Sequence, residues 1–110
     1  MSFDRQLIHR VDVKRAATDG TFDEYGQPVT APATVAAAVP GLIQPRTIRE
    51  IVLASQAGAQ IGSHVAFMRP LAGLASDCWL ELGGVRFDIV GIADAAGRGH
   101  HLEISLKAVG

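Results

Sequence analysis

The sequence predicts a mainly β protein, a small antiparallel barrel or sandwich of about six strands with one short helix and one long loop. Three observations carry this expectation. The stretch from Cys78 to Ile89 places two alternating segments around Gly83-Gly84, and the chain closes on the clean alternation of Leu102, Ile104 and Leu106. Only one segment, opening at Thr47, has the period of a helix. A Gly-Gly pair suits a two-residue hairpin because both central residues can take positive φ without a Cβ clash. Folding about it sets Leu82 opposite Val85, Leu80 opposite Phe87 and Cys78 opposite Ile89, all on one face. On the other face Glu81 meets Arg86 as a cross-strand ion pair, and Trp79 meets Asp88. A slip of one residue would turn an apolar set into water, so the register is well specified.

The first strand runs through His9-Arg10-Val11-Asp12-Val13-Lys14-Arg15, with Val11 and Val13 inward and Arg10, Asp12 and Lys14 outward. His9 shares the face of the valines, which predicts a partly buried structural histidine. From Ala16 to Ala33 the turn signals Asp19-Gly20, Tyr25-Gly26, Gln27-Pro28 and Pro32 predict a long loop. Loops of that length in compact domains are usually functional or mobile. Phe22 and Tyr25 are stranded in it among Asp19, Asp23 and Glu24, and either tuck back over the sheet edge or await a partner.

For the run Thr34-Val35-Ala36-Ala37-Ala38-Val39 a helix, suggested by its alanines, competes with a second strand, which its valines and flanking prolines favour, with Val35, Ala37 and Val39 on one face and Pro40-Gly41 as its end. Thr47-Ile48-Arg49-Glu50 has the capping-box pattern. Ile48, Ile51, Val52 and Ser55 follow at helical spacing, and Gly58 is a natural stop. The helix is therefore expected over about Ile48 to Ala57, with Arg49, Glu50 and Gln56 on its solvated face. A third strand is expected between Gln60 and Arg69, with Ile61, Val65 and Phe67 sharing a face. A turn over Pro70 to Asp77 leads to the hairpin, which extends to Ile92 with a bulge at Gly91. A second turn at Asp94-Ala95-Ala96-Gly97-Arg98-Gly99 precedes the last strand, His101 to Lys107.

At 110 residues the chain, residues 1–110, is one domain able to bury a core without metal or disulfide staples. Its lone cysteine, Cys78, falls on the inward face of the hairpin. A net charge of −1 and a pI near 6.4 disfavour a protein that wraps a nucleic-acid backbone. No apolar run reaches membrane-spanning length and the first residues lack a signal-peptide core, so a soluble protein of a reducing cytoplasm is expected.

Patterns that carry catalysis or cofactors are missing: there is no Walker loop, dinucleotide fingerprint, Cys-x-x-Cys or His-Glu-x-x-His. In Gly97-Arg98-Gly99-His100-His101 the adjacent histidines point to opposite faces, so the pair reads as a polar turn rather than a chelate. Asp12, Glu81, Asp88 and Glu103 all fall on outward faces. The sequence thus predicts no enzyme, no metal and no cofactor. A binding alternative is a small OB-like nucleic-acid module, which would want aromatic platforms on a basic face. Trp79 and the cluster Arg10, Lys14 and Arg15 are its only supports.

The order of segments resembles a known family. His9-Arg10-Val11-Asp12-Val13-Lys14-Arg15, then Asp23-Glu24-Tyr25-Gly26-Gln27-Pro28, then Val35-Ala36-Ala37-Ala38-Val39 is similar to the head–tail joining proteins of long-tailed phages. Arg49-Glu50 at the start of a short helix and the late Leu82 to Ile92 segment fit as well. These proteins are also called head-closure, stopper or head–tail adaptor proteins, and relatives occur in prophages and gene transfer agents. Two features depart from the pattern: alanines replace an aromatic inside the second strand, and Ser63 to Arg69 is less basic than usual.

The resemblance implies a small barrel assembled as a ring beneath the portal, closing the DNA channel after packaging and giving the tail a docking surface. Its implied partners are the portal or adaptor ring, tail-terminator or tail-tube proteins and copies of itself, with double-stranded DNA passing without sequence-specific binding and no membrane. The implied location is the head–tail junction of the virion, after assembly in the bacterial cytoplasm. Two segments are candidate contacts: the loop from Gly20 to Pro32, with Phe22, Asp23, Glu24 and Tyr25, and the stretch from Ile43 to Gln60, with Arg46, Thr47, Arg49, Glu50 and Gln56. The first is expected to meet the portal or a neighbouring subunit, the second the channel.

Overall fold

The structure is a computed structural model that describes residues 7–58, 61–94 and 101–109. Six strands and one helix follow in the order β1 (His9–Phe22), β2 (Pro28–Pro45), α1 (Ile48–Gln56), β3 (His64–Met68), β4 (Cys78–Leu82), β5 (Val85–Asp94) and β6 (Leu102–Val109). All neighbours are antiparallel and the sheet closes on itself in the order β1-β2-β3-β6-β5-β4. Closure decides between the barrel and the sandwich that the alternation left open, and it leaves no sheet edge in the body of the fold. The expected 94–99 turn, beyond Asp94 itself, and the positions Gln60 and His100 lie outside the described residues.

The hairpin has the expected register, with Leu82 paired to Val85, Glu81 to Arg86, Leu80 to Phe87 and Trp79 to Asp88. Its inward residues join Val11, Val13, Ile43, Ala66, Met68, Ile104 and Leu106 in one core. Cys78 is buried in that core, as its place in the register requires. His9 accepts a hydrogen bond at Nδ1 from the Ile43 N–H at 3.1 Å, a structural role that ties β1 to β2.

Three expectations about strands are corrected. Residues 16–33 are not a loop: β1 and β2 continue through them as a paired ribbon, Ala16 with Pro32, Ala17 with Ala31, Thr18 with Thr30 and Phe22 with Pro28. The turn itself is short. The carboxylate of Asp23 accepts from the N–H groups of Tyr25 and Gln27, both at 2.9 Å, and substitutes for backbone partners there. Second, β2 does not stop at Pro40-Gly41. Its pairing with β3 begins only at Gly41, so Pro40 lies where β2 has one neighbour, a position that tolerates a missing N–H.

Third, the faces of β2 and β3 differ from simple alternation. Between Val11–Val39 and Val13–Ala36 one residue of β1 opposes two of β2, and between Val13–Ala36 and Lys14–Thr34 a further β2 residue is unpaired. These bulges turn Val35, Ala36 and Val39 toward the core and leave Ala37 exposed. On β3, Ala66 and Met68 are in the core cluster, whereas Phe67 is only half-buried. Another bulge, between Ile89 and Gly91, falls where the sequence suggested one.

A candidate assembly surface: the arm and the helix

Beyond Arg15, the last residue of β1 paired to β4, β1 has only β2 beside it. At about 3.3 Å per residue the ribbon reaches about 23 Å from there to Phe22. The described chain is accordingly long, with extents of 50 × 34 × 27 Å. The arm buries almost nothing. Phe22 and Tyr25 at its tip are 67% and 82% exposed, so neither tucks back over the sheet. Asp23 and Glu24 are exposed between them.

The second excursion is the connection between β2 and β3. Thr47 caps α1, accepting from the Glu50 N–H at 3.1 Å, and Ala57 ends it. No residue of α1 is buried. Ile48, expected on a packed face, is 81% exposed, and Val52 and Leu53 also face solvent. The helical spacing is real, but the barrel is closed without it and supplies no second layer for its apolar stripe. Ile43, the first residue of the expected channel stretch, is likewise a core residue of β2 and not part of the helix.

Arg46 anchors this excursion. Its guanidinium donates to the Ile61 carbonyl at 3.3 Å and to Ser105 Oγ at 3.2 Å, while Glu50 and Glu103 lie at 3.7 and 4.0 Å. Only 12% of that side chain is exposed, so most of Arg46 is spent as a clamp within the chain. Arg49, Glu50 and Gln56 are exposed. The structure therefore gathers the nominated residues into two separate places, Phe22 to Tyr25 at the arm tip and Arg46 to Gln56 along the helix. The sequence places Ile48 and Val52 on a packed face and marks neither them nor Leu53 as contacts, because an apolar period signals such a face equally well inside a monomer or between subunits.

Support for the nucleic-acid alternative disappears in the same geometry. Trp79, expected outside, is buried under the Arg86 guanidinium, which lies 4.0 Å from its ring centroid. Glu81 does not pair with Arg86: it accepts from Trp79 Nε1 at 3.1 Å and pairs with Lys14 Nζ at 3.4 Å, while Arg86 pairs with Asp88 at 2.8 Å. Arg15 donates to the Gly73 carbonyl at 2.6 Å beside Asp77, and Arg10 to the Leu7 carbonyl at 3.1 Å. The basic cluster is committed to the barrel's own wall. His64 packs edge-on against Phe87, with centroids 5.1 Å apart, and its Nδ1 lies 2.8 Å from Ser63 Oγ. Among the described residues no three His, Cys, Asp or Glu side chains are grouped to hold a metal, and no helix is long and apolar enough to cross a membrane.

The phage head completion protein family matches residues 4–109. The chain belongs to that family. Membership makes this head completion protein a structural component of the virion, the coarse role that the order of its segments implied. Its fold is similar to the solution structure of protein SF1141 from Shigella flexneri 2a, at 18% identity and a TM-score of 0.72, covering 97% of this chain and 96% of that one. It is also similar to a chain in the virion of a native gene transfer agent particle, at 14% identity and a TM-score of 0.54, covering 91% and 94%. No curated protein matches. At these identities the two structures speak for the fold of the head completion protein alone.

Proposed function

We propose that the protein is a neck component, assembled as a ring beneath the portal, that closes the DNA channel after packaging and presents a docking surface to the tail. The observation that carries this reading is the division of labour in the chain. A self-sufficient barrel supports two excursions, the arm and α1, whose apolar residues remain in solvent. Exposed apolar side chains concentrated on projecting segments mark surfaces that are covered in an assembly. The segment from Arg46 to Gln56 faces the channel, and the arm meets the portal or a neighbouring subunit.

Inactivating the gene in the phage or element that carries it, with complementation in trans, tests the reading. The expected particles are DNA-filled heads without tails, which lose their DNA on storage and recover with the wild-type copy. Normal tailed particles that lack the protein by mass spectrometry would sink the proposal. A Thr47→Ala, Glu50→Ala double variant is expected to impair closure; full closure would show that the capped helix has no part in it.

A further inference from the structure

Among the apolar surfaces of the described chain that face solvent, two complement one another. Between α1 and the wall formed by β5 and β6 runs a groove of about 440 Å³, lined by Ile51, Ile61 and Val90, with Lys107 among its walls. It is large enough for aromatic side chains, since an engineered apolar cavity of about 150 Å³ already holds benzene. The other surface is the arm tip, with Phe22 and Tyr25 bare and Val29 partly so.

The tip is built as a rigid insert. Besides its two bonds to the Asp23 carboxylate, the turn is closed by Asp23 N–H to the Gln27 carbonyl at 2.8 Å and Gly26 N–H to the Asp23 carbonyl at 3.0 Å. A preorganised turn loses little freedom on docking. Strand addition along the arm is disfavoured, because Pro28 and Pro32 sit on one strand and the other is irregular between Thr18 and Phe22. What the arm offers a partner is its side chains. Charge agrees: Glu24 at the tip and Lys107 at the groove have opposite signs, and neither makes an ion pair among the described residues. The ribbon leaves at the Pro28 end of β2 whereas α1 follows Pro45 at the other end of that strand, so the tip and the groove of one copy lie at opposite ends of the barrel.

We infer that the arm tip of one copy inserts into the groove between α1 and the β5–β6 wall of the next copy. This rests on the ring assembly proposed above. Because the two surfaces are different parts of one chain, the contact is head-to-tail, the kind that propagates around a ring. The solvent face of α1, with Ile48, Val52 and Leu53, stays free on the side away from the inserted tip.

The test is disulfide trapping in assembled particles. The native thiol, Cys78, is buried, so engineered cysteines are the reactive ones. In purified particles carrying the double variant Glu24→Cys, Lys107→Cys, mild oxidation is expected to give a ladder of covalent multimers that collapses on reduction, whereas each single variant stays monomeric. A double variant that stays monomeric, or bridges only within one chain, overturns the inference while mass spectrometry still finds the protein in the particles. Absence of the protein from wild-type particles overturns the ring reading and the inference with it. If the cysteine variants yield no particles, Phe22→Ala, Tyr25→Ala and, separately, Val90→Asp are tested by complementation. Each is expected to lower titre by about two orders of magnitude with an unchanged thermal midpoint. Wild-type titre from either overturns the arm-in-groove contact.

Discussion

The Asp12 carboxylate accepts a hydrogen bond from the Ala38 N–H at 2.9 Å, and Ala38 stands in the left-handed region with φ of 53°. Asp12 is the single β1 residue that faces Ala37 and Ala38 at the bulge of β2, so its side chain supplies the partner that the interrupted ladder cannot. Asp12→Ala is expected to cost about 1 kcal/mol, and Asp12→Asn much less because its amide oxygen can still accept. Ala38→Gly, relieved of the Cβ clash, is expected to gain about 0.5 kcal/mol. Urea unfolding checks all three, and a destabilising Ala38→Gly would refute the strained bulge.

Gly62 is the position where a side chain is least tolerable. A Cβ there would stand 2.1 Å from the Leu106 carbonyl oxygen, and its φ is +70°. The approach is needed because Ser63 donates to that same carbonyl at 2.9 Å, seating the start of β3 on β6. Gly62→Ala is expected to lose about 3 kcal/mol, against about 1 kcal/mol for Gly83→Ala, whose Cβ meets open space. Equal losses in thermal or urea unfolding would contradict the close approach.

Core and helix respond differently to truncation. Leu80→Ala, in the fully buried centre of the barrel, is expected to cost about 3 kcal/mol, and Ile48→Ala within about 0.5 kcal/mol of nothing. The same Ile48→Ala is expected to reduce particle yield. A large stability loss from it would mean that α1 packs on its own barrel.

Arg46→Met keeps the stem and removes the guanidinium. Losing its bonds to Ile61 and Ser105 is expected to speed amide exchange through Ile48–Gln56 by about tenfold. Exchange in β4, on the far side of the strand order, is expected to stay slow. Uniform acceleration everywhere would show that Arg46 supports the whole fold rather than the seat of the helix.

Excising residues 17–31 and closing the ribbon with Asn-Gly tests whether the arm is an appendage. No core residue lies within it, so the thermal midpoint of the barrel is expected to survive while complementation is lost. A barrel that unfolds without the arm would assign it to stability.

Much of the barrel is written in nearest-neighbour chemistry, and that part is legible. Leu80, Phe87, Ile104 and Leu106 reached the core because period-two alternation and a Gly-Gly turn specify both register and face within a short stretch. The Thr47 cap and the length of α1 are local in the same sense. Other features depend on partners distant in the chain. The ribbon over residues 16–33 has Gly, Pro and Asp where strands usually have β-branched residues, and it pairs because the barrel already holds His9 to Arg15 in register with β2. The bulges at Val35 and Ala38 exchange the faces of β2, and a run of alanines carries no signal of where that happens. Burial of Trp79 beneath Arg86 and the choice of Lys14 for Glu81 required the β1–β4 seam to close. Apolar residues at helical spacing establish that α1 has a face to cover; only the closed barrel shows that Ile48, Val52 and Leu53 stay in solvent among the described residues.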